Sequence, residues 1–390
     1  MNITWGNWDV RVYAAEAWVS LASRFAAEHP CIVDEIEAML ADSVPAVRLQ
    51  VAQNLQVIYH AAPDRMWTMG ERIVSQETNN EIIAAYLSQA LGPFSHSDPD
   101  RCEAMLSIVI ERLDGDLASD DRGRLFLEES LGNWCEQLVV EQGRVLPSTW
   151  LERWATDPQR YGRLLDSFLS LLREALFRRY RPGSDTDACA LCDRAQESLK
   201  LILRSATTIS CEAHGAYASS NTTEADKQAI RDRYSAAENL IRHAMNQLYF
   251  GSGAYQSDSK DEPGLPNIAS MQSFLNDYLD ILALLASSHE PGTLHHLVQL
   301  YEFLMSANPT VVFEAIYTIL LGRGEEEGYH FESLGNAVVV RLVQRYIADH
   351  RAIFEDEGRR ARLVAILQLF SHAGWPEALR LLYDLPDLLR

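Results

Sequence analysis

Ala46-Val47-Arg48-Leu49-Gln50-Val51-Ala52 repeats a phrase met earlier in the chain, Asp9-Val10-Arg11-Val12-Tyr13-Ala14-Ala15, with Arg48 in register with Arg11. The two copies lie about 37 residues apart, and a weaker third, Ile83-Ala84-Ala85-Tyr86-Leu87-Ser88, follows after about 36 more. A period of that length, built from helix-forming residues, is the mark of stacked helix pairs. One pair cannot bury its apolar face alone, so neighbours must cover it. Such an architecture is more often a surface for partners than an active site.

The punctuation around these phrases agrees. The spacing predicts a helix over 9–28 stopped by His29-Pro30, a short one over 32–40, and a long one over 45–60. Pro45 falls in a first turn, where a missing N–H leaves no helical bond unmade. Pro63-Asp64 opens a helix over 65–75, and Thr78-Asn79-Asn80 caps one over 81–91 that Gly92-Pro93 ends. No segment alternates apolar and polar residues between hairpin turns, so no strand is expected.

Short helix, turn, long helix, turn, carried with Asp42-x-x-Pro45-x-Val47-Arg48-x-x-Val51-Ala52-x-x-Leu55, resembles the HEAT-repeat family. The resemblance implies that the proline opens or bends a helix and that acidic and arginine positions build polar ladders within and between repeats. Arg11, Asp42, Pro45 and Arg48 are then structural residues. Residues 1–91 carry the likeness best, and Asn308-Pro309-Thr310-Val311-Val312-Phe313-Glu314-Ala315-Ile316 echoes it. The expected fold is all-α: an α–α superhelix of HEAT-like helix pairs with an irregular longer-helix middle section.

The expected divisions are N-terminal repeats over 1–157, a long-helix section over 158–250, a mobile linker over 251–266 rich in Gly, Ser, Asp and Pro, and C-terminal repeats with a cap over 267–390. The middle helices, near 158–180, 186–210 and 223–249, are either elongated repeats or an inserted bundle. In the repeat alignment the helix holding Arg11 matches the second helix of a pair, so its own partner is missing. Either Trp5, Trp8 and Trp18 form a compact cap or the chain is a piece of a longer protein. Leu381 to Leu389 reads as a C-terminal lid.

Composition narrows the function. An apolar share of 47% over 390 residues supplies ample core and excludes wholesale disorder. The start of the chain has no basic, apolar leader pattern, so no secretory signal is read. The longest apolar run, Ile281 to Ala286, is far short of the roughly 18 residues that span a bilayer. Six cysteines within apolar or helical stretches fit reduced thiols and a cytoplasmic setting. A net charge of −21 argues against nucleic acid, whose nonspecific binding needs basic side chains, and a pI near 4.9 against an anionic membrane. A protein partner is the expectation. The Ala-, Leu- and Arg-rich tail, nearly free of Lys, points to a bacterial source.

Few residues suggest chemistry. Cys189-x-x-Cys192 and Cys211-x-x-His214 have zinc-like spacing. If one helix joins them, however, the 19 residues from Cys192 to Cys211 set the pairs about 28 Å apart, too far for one ion. The site needs a break near Ser205-Ala206-Thr207-Thr208. His295 and His296 are neighbours and face different sides of a helix, while Glu325-Glu326-Glu327 before His330 reads mainly as a solvated loop. Arg173, Arg178, Arg179 and Arg181 close a helix, where cations suit the dipole; the sharper reading is contact with an acidic partner. No nucleophile elbow or phosphate loop is present, so no catalytic residue and no cofactor are expected. The function read from the sequence is a noncatalytic scaffold or sensor module, set in a larger bacterial defence or signalling assembly. The alternatives are a HEAT-like enzyme or ligand binder of the DNA-base or bilin type, and a zinc-dependent helical protein.

Overall fold

Helix starts follow the local chemistry. Asp9 accepts the main-chain N–H of Arg11 at 3.0 Å and opens α1 (Val10–Phe25). After α2 (Cys31–Met39), Pro45 and Pro63 occupy the first turns of α3 (Pro45–Ala52) and α4 (Pro63–Gln76). Asn79 caps α5 (Asn80–Ala85) through the N–H of Glu81 at 2.9 Å. The structure is a computed structural model that describes residues 9–115, 122–217, 223–255 and 264–389; Trp5 and Trp8 lie outside them. Among the described residues all regular structure is helical and there is no strand, so the protein is all-α. No helix among them is long and apolar enough to cross a membrane.

The chain divides into two compact units, one up to Trp150 and one from Leu151. In the first, α1, α3 and α5 pack in succession and α5 packs on α7 (Arg122–Glu136), while α4 packs on α6 (Pro99–Asp114). Arg65 of α4 reaches back to Asp34 and Glu37 of α2 at 2.8 and 2.5 Å. Two predicted helices are interrupted. The one expected over 45–60 leaves α-geometry at Ala52 and resumes as a 3₁₀ turn, Leu55–Ile58. The one expected over 81–91 widens into a π-helical turn, Tyr86–Leu91. The buried Trp134 indole donates to the Leu87 carbonyl of that turn at 2.9 Å, a tertiary bond that helical periodicity does not reveal.

Two arginines tie segments of this unit together across gaps of 31 and 29 residues. Arg11 Nη1 donates to Asp42 at 3.2 Å, and Asp42 also accepts the N–H of Val44 at 2.7 Å. Arg48 donates through Nε and Nη2 to the two Glu77 oxygens at 2.7 and 3.0 Å, and through Nη1 to the Asp42 carbonyl at 2.8 Å. Burial would raise the Glu77 carboxyl, but the Arg48 fork and the N–H groups of Asn79 and Thr78 hold it below its ordinary value. The two ladders differ in solvent access: the Arg48 side chain is 17% exposed and that of Arg11 is 51%.

The second unit begins inside α8 (Val145–Ala155). Its three long helices, α9 (Pro158–Phe177), α10 (Thr186–Tyr217) and α11 (Glu224–Ser252), each pack on the other two. There follow α12 (Ile268–Asp277), α13 (Leu279–Leu285), α14 (Pro291–Leu304), α15 (Pro309–Leu321), the single turn α16 (Arg323–Glu326), α17 (Ser333–Asp349), α18 (Glu357–His372) and α19 (Pro376–Leu388). Helix α14 is the hub, touching α11, α12, α13, α15 and α17.

Of the expected linker over 251–266, residues 256–263 lie outside the described residues, and both described ends are pinned. Gly251 and Ser252 belong to α11, and their carbonyls accept the N–H groups of Gly264 and Leu265 at 3.0 and 3.1 Å. A Cβ on Gly264 would stand 2.2 Å from the Gly251 carbonyl oxygen, so glycine is needed there for a close chain crossing, not for flexibility. The stretch read as a lid falls mostly within α19, a helix that buries Ala378 and Leu385 but leaves Leu379 and Tyr383 exposed one turn apart.

Two measurements test these energetics. Arg48→Ala strands a buried carboxylate and is expected to lower stability by about 3 kcal/mol, whereas Arg11→Ala at its exposed pair should cost under about 1 kcal/mol; urea unfolding of both variants decides this. Glu136 is 6% exposed, and burial followed by the charge of Glu141 pushes its carboxyl up to about 7. The folded chain therefore keeps a proton that the unfolded chain loses near its ordinary value of 4.5, and stability falls as pH rises between those limits. Glu136→Gln should raise the melting temperature at pH 8, with a gain on the order of a few kcal/mol at most that vanishes by about pH 4.

Candidate functional site

Helix α10 runs without a break from Thr186 to Tyr217, so Ser205 to Thr208 do not fold back. Cys192 therefore lies about 28 Å from Cys211, and Cys189 and His214 lie further out, so the two pairs cannot share an ion. Cys192 is buried with its Sγ on the Leu176 carbonyl at 3.3 Å, and burial pushes its thiol up to about 11, which keeps it protonated. The zinc-like spacing is a coincidence of one helix.

The arginine cluster is engaged within the chain. Arg178 and Arg181 share Glu174, with Arg178 Nη1 at 3.1 Å and Arg181 Nη2 at 2.9 Å. Arg179 pairs with Asp193 and lies 3.5 Å from Asp277. Arg173 donates to Gln247 at 3.1 Å and lies over the Phe250 ring. Arg173 ties α9 to α11, and Arg179, just past α9, reaches α10 and the end of α12.

The second unit instead builds a polar node around Glu238 on α11. This carboxylate is 3% exposed and accepts three bonds: Ser210 Oγ of α10 at 2.5 Å, Ser288 Oγ at 2.7 Å and the N–H of His289 at 3.1 Å, the last two from the turn between α13 and α14. Beside it, the His289 ring stacks on His214 at 4.0 Å and places Nδ1 2.6 Å from Glu327 Oε1. His214 Nε2 lies 4.0 Å from the same oxygen. Arg323 lies 3.6 Å from it and is itself 2.8 Å from Glu326. Tyr234 donates to Glu290 at 3.3 Å. Burial first, then the charges of Glu238, Glu290 and Glu327, raise the Tyr234 phenol above its ordinary range.

A groove of about 810 Å³ opens elsewhere in the same unit. Tyr249 at the end of α11, Tyr255 beyond it, and Ile268 and Met271 of α12 form one wall; Glu302 of α14 and Arg341 and Arg345 of α17 form the other. Arg341 forks onto Glu302 at 2.7 and 2.6 Å, and Arg345 Nη1 donates to the Glu302 carbonyl at 3.2 Å. The groove thus holds two guanidinium groups against one carboxylate, in a chain whose net charge is −21. Tyr255 and Ile268 are more than half exposed. His296 stacks on Tyr249 at 4.6 Å, and His295 bonds the Tyr329 hydroxyl at 3.1 Å, so the neighbouring histidines do face different surroundings. Burial lowers both from their ordinary values, leaving them neutral near pH 7.

Neither node nor groove was read from the sequence. One signal was available: Glu238 shares its helical stripe with Ile241, Met245 and Leu248, all buried, so a charge on an apolar face marks a buried polar site. The partners of Glu238, 28 to 51 residues away, carry no such mark. Protein-family models give no match to this chain, and a comparison with curated proteins gives none either.

Glu238→Gln keeps the size of the side chain but replaces an acceptor oxygen with an N–H donor. It is expected to lower stability by about 2 kcal/mol, clearly more than Glu290→Gln at its half-buried position, as read from urea midpoints.

Proposed function

We propose that the chain is a noncatalytic protein-recognition module, and that the groove of its second unit docks an acidic, apolar peptide segment of a partner. The observation that carries this reading is the pairing of Arg341 and Arg345 against the single carboxylate of Glu302, beside the exposed Tyr255 and Ile268. In a chain so acidic, a local excess of guanidinium groups selects carboxylates and repels basic segments. The tyrosine and isoleucine surfaces supply the apolar contact from which most docking energy comes. A volume of about 810 Å³ suits a few side chains of such a segment.

The first unit fits the same role as a HEAT-like array. Supporting this are the row of α1, α3, α5 and α7, and the arginine-to-acid ladders from Arg11 to Asp42 and from Arg48 to Glu77. The net charge of −21 speaks against a phosphate backbone as the ligand. A scaffold or sensor role follows: the module would report or hold a partner rather than transform it.

The test is fluorescence anisotropy with labelled twelve-residue peptides, one alternating Asp or Glu with Leu and Phe, the other replacing the acids by Lys. The acidic peptide should bind and the basic one should not, with affinity falling as salt is raised. Arg345→Glu and Tyr255→Ala should each weaken binding about tenfold or more. Equal binding of both peptides, or binding indifferent to both substitutions, would remove the groove as the docking site.

A further inference from the structure

We infer that His214, His289 and Glu327 form a binding site for a single zinc-class divalent metal ion, which clamps the end of α10 to the α13–α14 turn and to α16. The three side chains each present a donor atom, and these atoms lie within 4.8 Å of one another. They come from three separate segments, and the fold alone brings them together.

The donor spacings are near what such an ion needs, while the His214 ring, stacked on His289 at 4.0 Å, has to turn before both lone pairs aim at one point. Metal–donor bonds of about 2.0–2.2 Å in tetrahedral geometry set donors about 3.3 Å apart. The two spacings to Glu327 Oε1, 2.6 Å from His289 Nδ1 and 4.0 Å from His214 Nε2, straddle that value. His289 and Glu327 are too close by the margin an inserted ion would open, because the ion takes the place of the proton they share. His214 is too far by a similar margin, and its half-exposed side chain at the end of α10 is the one with room to turn inward.

Two further observations point to a cation. His289 is buried with its side chain 3% exposed, and its Nε2 has no hydrogen-bond partner among the described residues. Among the described residues, Glu327 makes the one side-chain hydrogen bond to the ring, at Nδ1. The second observation is charge: Glu238, Glu290 and Glu327 crowd the site, with Arg323 as their cationic neighbour. Metal-ligating imidazoles are commonly supported by carboxylates in this way.

Imidazole and carboxylate donors together suit zinc and its neighbours in the transition series, and not calcium or magnesium, which take oxygen cages. Binding at Nδ1 leaves the proton of the neutral His289 ring on Nε2. Three protein ligands leave a fourth position for water or for an atom of a partner.

The test uses the full chain, stripped with a chelator and titrated with Co²⁺ as a spectroscopic probe and Zn²⁺ as competitor. One equivalent of Co²⁺ should bind with the visible absorption of a tetrahedral nitrogen- and oxygen-ligated ion, be displaced by Zn²⁺, and raise the melting temperature. His214→Ala and Glu327→Gln should each weaken binding at least about tenfold, the loss already seen when only a supporting partner of a ligand is removed. Their helical circular dichroism should stay that of the parent. No uptake, uptake unchanged in both variants, or uptake lost in Cys211→Ser with a thiolate-to-cobalt charge-transfer band would overturn the assignment.

Discussion

A carboxylate taken out of water must find donors or give up its charge, and Glu238 finds three. Its bonds to Ser210, Ser288 and the N–H of His289 fix the height at which α10 and the α13–α14 turn meet α11. Everything of functional interest in the second unit hangs from that junction. His289 is placed against His214 and Glu327 because its own N–H is held by Glu238. Eleven residues further along α11, about 16 Å on, Tyr249 reaches the groove. One helix thus anchors a buried polar node and lines an open groove.

The first unit solves a different problem with simpler means. Its helices bury their apolar faces against alternate neighbours, α1 on α3, α3 on α5, α5 on α7 and α4 on α6. Arginines crossing between rows set the register: Arg48 holds both the Glu77 carboxylate and the Asp42 carbonyl, and Arg11 repeats the connection at a more exposed rung. Where the packing demands a departure from α-geometry, a π-turn absorbs it, as at Tyr86–Leu91 beneath the Trp134 indole.

Much of this was legible in the chain. Helix class, the starts near Pro45, Pro63 and Pro158, and the cap at Asn79 all follow from contacts within a few residues. The objection to joining Cys192 with Cys211 was also geometric and local, and the unbroken α10 upholds it. The arginines at 173 to 181 were harder. Their helix end was visible, but Asp193 and Asp277, which hold Arg179, and Gln247, which holds Arg173, were not.

Periodicity and capping are written in neighbouring residues, so the sequence alone determined that this protein is helical, where most helices begin, and which arginine repeats. Side chains separated by tens of residues meet only when whole helices pack, and no local pattern encodes that meeting. The Glu238 node, the grouping of His214 with His289 and Glu327, and the facing of Arg341 and Arg345 across Glu302 were therefore decided by the tertiary structure. The physical reason is range: helix propensity acts over one or two turns, while burial and charge pairing act wherever the folded chain brings surfaces together.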